Sequence, residues 1–291
     1  MMKLKFVKLN GLFFLILFVL FSCSKDPETI IETVEVPTTV EVPVELDPFA
    51  DSTLEGVLTS DKTLSSDKIW LIKGRVVVGD GATLTIPAGT VIKAEPGSGA
   101  DASTLIVARG GKIDAKGTAS KPIIMTSKAD NIQADGTYPA TGASLTVNSR
   151  GLWGGLLVLG KAPSSFKGDV SELQIEGIPV SDTNGLYGGS VSDDNSGTMQ
   201  YISIRHGGAE IGEGNEINGL TLGGVGSGTV IEHIEVIANV DDGIEFFGGT
   251  VNASYLLVWG QGDDALDIDQ AYSGTIDDAY VILEDASDHG M

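Results

Sequence analysis

"ANVDDGIEFFGGTVNASYLLVWGQGDDALDID", residues 238–269, contains one short pattern twice. "DGIEF" (242–246) returns as "DALDI" (264–268), and "NGLTL" (218–222) comes before both. Leu220, Ile244 and Leu266 fall in matching places, as do Leu222, Phe246 and Ile268. Strict alternation of apolar and polar residues over so short a run is a strand pattern. A Gly-Thr-apolar signature runs in step with it, at Gly197-Thr198-Met199, Gly228-Thr229-Val230, Gly249-Thr250-Val251 and Gly274-Thr275-Ile276. Short strands and turns repeating every twenty-odd residues, with no helix between them, mark a stacked solenoid. One such coil cannot bury its own apolar side chains, whereas a stack of them makes a continuous core. A propeller blade needs a unit of about 40 residues, and a sandwich has no register-matched repeat. The fold class read from the repeats is an all-β solenoid, and the pattern resembles a right-handed parallel β-helix.

Outward from that segment the same texture extends back to about Leu54. "TLTI" (83–86), "GTVIKA" (89–94), "STLIVARGGKIDAKG" (103–117) and "KPIIMTS" (121–127) are strand-sized and rich in β-branched residues. Residues 128–195 are irregular and read as long loops or an inserted flap, with "GLWGGLLVLG" (151–160) returning to strand inside them. The predicted body is therefore 54–291.

The N-terminus reads differently. Lys3, Lys5 and Lys8 precede the apolar run "GLFFLILFVLF" (11–21), the layout of an export signal over residues 1–22. Cys23 is the single cysteine, so no internal disulfide is available. "LFSC" resembles a bacterial lipobox, which implies cleavage before Cys23 and its lipidation; several acyl chains together anchor stably where one does not. "CSKDPE" resembles the tag of surface-exposed lipoproteins in Bacteroidetes-type bacteria. The implied location is the outer membrane, exposed at the cell surface. Residues 23–53 form a stalk in which "TVEVP" occurs at 33–37 and 39–43, and prolines 27, 37, 43 and 48 disfavour helix.

Composition narrows the partners. Over 291 residues the formal net charge is −22, which argues against nucleic acid, whose phosphates call for Lys and Arg. The lipid anchor is the expected link to the membrane, and an extracellular glycan or polymer is the expected ligand.

The acidic positions carry the candidate chemistry. Adjacent coils stack at about 4.8 Å, so Asp242 with Asp264, and Glu245 with Asp267, are near neighbours of like charge. Residues 211–291 hold 16 Asp or Glu and no Lys or Arg. Such carboxylates must be solvated, protonated or bridged by a cation, and calcium accepts several oxygen ligands in flexible geometry. The candidate calcium ligands are Asp242, Glu245, Asp264 and Asp267; a solvated ladder of acidic turns is the alternative, since Asp and Asn favour such turns without any metal.

A hydrolase is a further alternative. "ANVDDGIE", the pair Asp263-Asp264 and "DHG" resemble the motifs of β-helix polygalacturonases. That resemblance implies catalytic roles for Asp242, Asp263, Asp264 and His289. One extra residue precedes Asp242, Glu245 stands where the motif has Asp, and the family's final Arg-x-Lys would lie beyond Met291. A β-eliminating lyase needs a basic residue beside its calcium, and 211–291 has none.

Other motifs carry less. "GGVGSG" (223–228) lacks the Lys-Ser/Thr of a phosphate loop, and His206, His233 and His289 do not have zinc-like spacing. Trp70, Trp153, Tyr187, Tyr201, Tyr255 and Trp259 offer aromatic surface for sugars. Trp153, Tyr187 and Trp259 are the expected stacking rings.

"GLWGGLLVLGKAP", the run from Tyr201 to Asn252 and "WGQGDDALDIDQAYSGT" resemble a family of uncharacterised β-helix lipoproteins from Bacteroidetes and marine bacteria. The likeness covers roughly residues 54–291 and implies fold and location, with no established activity. Members usually continue past a segment such as Asp288-His289, so the chain reads as C-terminally truncated.

Overall fold

A computed structural model describes residues 48–291, except 169 and 211–215, and the backbone of two short antiparallel strands, Phe6–Lys8 and Glu41–Pro43. Those two strands apart, the leader, Cys23 and the stalk to residue 47 lie outside the described residues. The chain divides into two units, Met1–Ala50 and Asp51–Met291.

The second unit is a right-handed parallel β-helix. Its first sheet stacks Thr104–Val107, Leu156–Leu159, Leu220–Gly223, Ile244–Phe247 and Leu266–Asp269, all parallel. The chain then enters Val230–Ile237, which bends at His233 and so serves two sheets in turn before returning to the first. Gly197–Arg205, Asn252–Trp259 and Ile276–Ile282 bend at Tyr201, Tyr255 and Asp278. These corner residues have φ of 51°, 55°, 58° and 54° down the stack, a left-handed step that turns the strand within one residue. Strand Ile69–Val78 turns at Gly74 instead, and hydrogen bonding through it joins the ladders into one network of 16 strands among the described residues.

The repeat governs the register. Leu220 pairs with Ile244 and Ile244 with Leu266, while Leu222 pairs with Phe246 and Phe246 with Ile268. Leu220, Leu222, Ile244 and Phe246 are fully buried in one continuous core with Ile234, Val236, Leu256 and Val258. Ile268 has the same register but belongs to the outermost described coil of this sheet and is 38 % exposed. The glycine of the Asn-Gly and Asp-Gly pairs is required by close approach. A Cβ on Gly219 would lie 2.4 Å from Val236 Cγ1, and one on Gly243 2.3 Å from Val258 Cγ1.

The Gly-Thr signature does not mark the register. Met199 pairs with Ile231 and Ile231 with Ala253, one residue beyond Val230 and two beyond Val251. Its threonines belong to the turns: Ser196 N–H donates to Thr229 Oγ1 at 2.9 Å, and Ser227 N–H to Thr250 Oγ1 at 3.0 Å. Turns change length between coils while the strands keep register.

The irregular stretch holds two insertions that flank strand Leu156–Leu159. Residues 161–195 lay Ile175, Ile178, Phe166 and Tyr187 over the outward apolar side chains of the first sheet, Val77, Ile106, Leu157, Leu159 and Phe247. Residues 128–155 lay Ile132 and Tyr138 over Val91 and Ile124 of another sheet. Both cover outward apolar residues that water would otherwise meet.

Candidate functional site

The outward column of the first sheet changes chemistry along the stack. Leu157 pairs with Thr221, Thr221 with Glu245, and Glu245 with Asp267. The turn just before the strand changes likewise, from Ile217-Asn218 to Asp241-Asp242 and Asp263-Asp264. Strand pairing therefore superposes what the sequence keeps 22 or more residues apart.

One oxygen from each of Asp242, Glu245 and Asp267 lies within 4.8 Å of the others, and the same holds for Asp241, Asp242 and Asp263. Asp242 is common to both groups. Calcium–oxygen bonds are about 2.3–2.6 Å long, so oxygens up to about 5 Å apart can share one ion. Asp242 and Glu245 are each 7 % exposed. Glu176, from the 161–195 insertion, and Asn218 lie near enough to Glu245 to act on it. Asn218 is fully buried and donates through Nδ2 to Glu245 Oε2, while its Oδ1 has no partner. Among the described residues no lysine or arginine forms an ion pair with these acids.

Burial sets the protonation, and the neighbouring charges add to it. Glu245 is pushed up to about 10 by burial, then by Glu176, Asp242 and Asp267, against the hydrogen bond from Asn218. Asp242 is pushed up to about 7 by burial and by Asp241, Asp267 and Asp263, against the backbone N–H of Asp264, which donates to its Oδ1 at 2.9 Å. Asp241 rises to about 6 through burial and Glu216. Glu176 and Asp263 are also raised, burial being the main cause in each. A hard cation would replace these protons with oxygen coordination. The all-oxygen donor set and the buried, unpartnered Asn218 Oδ1 fit calcium.

Asp264, expected among the calcium ligands, turns to a different partner. Its Oδ1 lies 3.2 Å from His289 Nδ1, and only its backbone N–H reaches the cluster. His289 also accepts from Ala265 N–H through its carbonyl at 3.0 Å. Asp264 and His289 thus adjoin the group beside Asp242, and Asp263 belongs to it.

The expected stacking rings are placed elsewhere. Trp153 is fully buried and donates Nε1–H to Arg205 O at 2.7 Å. Tyr187 is 1 % exposed, edge-on to Phe166 and Phe247, with its hydroxyl 2.7 Å from Gln270 Oε1. Neither offers a face to a sugar, because the insertion and the core enclose both. Trp259 is half-buried and bonded to Glu284 at 2.8 Å.

Asn218, Asp241 and Glu176 were not among the expected ligands. Asn218 was within reach of the repeat alignment, since "NGLTL" places it level with Asp242. Glu176 lies in an insertion with no periodic pattern, and nothing in the sequence ties it to the cluster.

With this geometry in place, the comparison with known families is decisive for the fold. The model of a pectate-lyase-like β-helix domain matches residues 56–291. The chain belongs to that family. No curated protein and no solved structure matches it.

Proposed function

We propose that this protein is a surface-displayed lipoprotein whose β-helix holds calcium on the outward column of the first sheet and uses it to bind an acidic extracellular polymer. The observation that carries the reading is the convergence of Asp241, Asp242, Glu245, Asp263 and Asp267 beside the unpartnered Asn218 Oδ1, with no cationic side chain among the described residues paired to them. Buried like charges are costly, and a divalent ion removes that cost where internal ion pairs are lacking. Asp263 is exposed and Asp242 is buried, so the group runs from solvent into the protein. An ion at the outer end keeps coordination positions for a ligand carboxylate. The lipobox-like segment ending at Cys23 supports display outside the cell. The test is retention of the full-length chain on an immobilised uronate polymer such as polygalacturonate: binding in calcium and release by chelator support the reading, and equal retention with and without calcium contradicts it.

A hydrolase reading has one specific observation in its favour, the approach of His289 to Asp264 beside Asp263. It requires release of reducing ends from a polysaccharide and loss of that release in Asp263→Asn.

A further inference from the structure

A second surface lies at the corner turns themselves. Tyr201, His233 and Tyr255 occupy equivalent corners of three successive coils and stack face to face. Their ring centroids are 4.1 and 4.5 Å apart, with planes 9° and 8° from parallel. All three take positive φ, a conformation that glycine adopts without cost and that ring-bearing residues adopt only under strain. No side-chain hydrogen bond from any of the three is found among the described residues, so two phenols and an imidazole present free polar edges in a row.

Beside this row lies a groove of about 320 Å³. Its floor is Ser203, Glu235 and Leu257, which pair in register on adjacent strands. Arg205 is held across it by three partners. It donates to Ser203 Oγ at 2.7 Å and to Tyr138 Oη at 3.2 Å, and pairs with Glu235 at 3.5 Å. Tyr138 belongs to the 128–155 insertion, which thus fixes the guanidinium before any ligand arrives. Tyr255 is 51 % exposed.

We propose that this groove binds a neutral oligosaccharide about two sugar units long. The rings of the row cover one another, but the outer face of Tyr255 has no ring beyond it, because Asp278 takes the next corner; that face suits the C–H face of a sugar, and a preset Arg–Glu pair supplies a donor and an acceptor for adjacent hydroxyls. The volume lies at the lower end of the ~300–1,000 Å³ typical of ligand pockets. Glu235 neutralises Arg205 and the chain carries −22, so a carboxylated ligand gains no net attraction here. The site is separate from the acidic cluster and does not depend on it.

The experiment is saturation-transfer NMR on the full-length chain with cellobiose, lactose, xylobiose, mannobiose and, as the acidic counterpart, digalacturonate. At least one neutral disaccharide should receive saturation, unchanged by chelator and by Asp267→Asn. That signal should fall at least tenfold in Tyr255→Ala, and Arg205→Lys, which keeps the charge but loses the planar fork, should weaken it. Tyr255→Phe keeps the ring and removes only the hydroxyl, so a partial loss there separates ligand contact from damage to the stack. Absence of transfer to every neutral disaccharide overturns the proposal, as does transfer that survives both Tyr255→Ala and Arg205→Lys. Transfer to digalacturonate alone, abolished by chelator, overturns it too and assigns sugar binding to the acidic cluster.

Discussion

Replacing Asp242 by Asn should make the metal-free protein more stable, the reverse of what most substitutions at buried polar positions do. The asparagine keeps an oxygen to accept the N–H of Asp264 but removes a charge that burial and three neighbouring carboxylates oppose. Burial, with the neighbouring carboxylates, pushes this carboxyl up to about 7 from the ordinary aspartate value of 3.8. A raised folded-state value means that the native state holds the proton more tightly than the unfolded chain. Stability is therefore greatest below the unfolded value, falls as pH rises through the interval between the two, and is flat above about 7. Roughly three pK units at ~1.4 kcal/mol each put the penalty at about 4 kcal/mol by pH 8. At about 2–4 °C per kcal/mol for a domain of this size, the midpoint of Asp242→Asn should exceed wild type by roughly 8–16 °C. The assay is calorimetric unfolding in chelator from pH 3.5 to 8. The two proteins should coincide near pH 3.5 and separate progressively above pH 4. A variant less stable than wild type at pH 8 in chelator, or a difference independent of pH, would refute the reasoning.

Three further outcomes are expected. Calcium at a hundredfold over its dissociation constant should raise wild-type stability by about 2.7 kcal/mol and leave Asp242→Asn nearly unmoved, read as the midpoint shift with and without chelator. Phe246→Ala, at a fully buried position in the core, should cost about 3–5 kcal/mol in denaturant unfolding with no change in calcium affinity per folded molecule. Gly197→Ala should destabilise the body severely, because φ is +114° there and a Cβ would sit 1.9 Å from Ile113 O; a loss below 1 kcal/mol would contradict that coil register.

The repeat made the solenoid legible because strand register follows side-chain alternation, and Leu220, Ile244 and Leu266 could be aligned from sequence alone. The Gly-Thr signature misled by one or two residues because its threonines cap turns, which vary in length where strands do not. Within the site, Glu245 and Asp267 were visible as a stacked pair from the same repeat. Asp264 was visible too, but its side chain follows the last described segment, where His289 meets it. Glu176 reaches the cluster through a loop whose path depends on apolar contacts with the first sheet, and those have no local sequence signature. The aromatic residues show the same division. Trp153 enters the main core from the end of its insertion and Tyr187 is buried where the 161–195 insertion docks on the first sheet, neither of which the sequence encodes locally, whereas Tyr201, His233 and Tyr255 are brought together by coil stacking.

The central claim is that a divalent ion occupies the ladder formed by Asp242, Glu245 and Asp267. Isothermal titration of the chelator-stripped chain with calcium at pH 7.5, in two buffers of different ionisation enthalpy, tests it most directly. Binding of at least one ion per chain is predicted, with proton release shown by heats that differ between the buffers, because Glu245 holds a proton at that pH in the metal-free state. Absence of binding at millimolar calcium, or binding unchanged in Asp242→Asn, would contradict it.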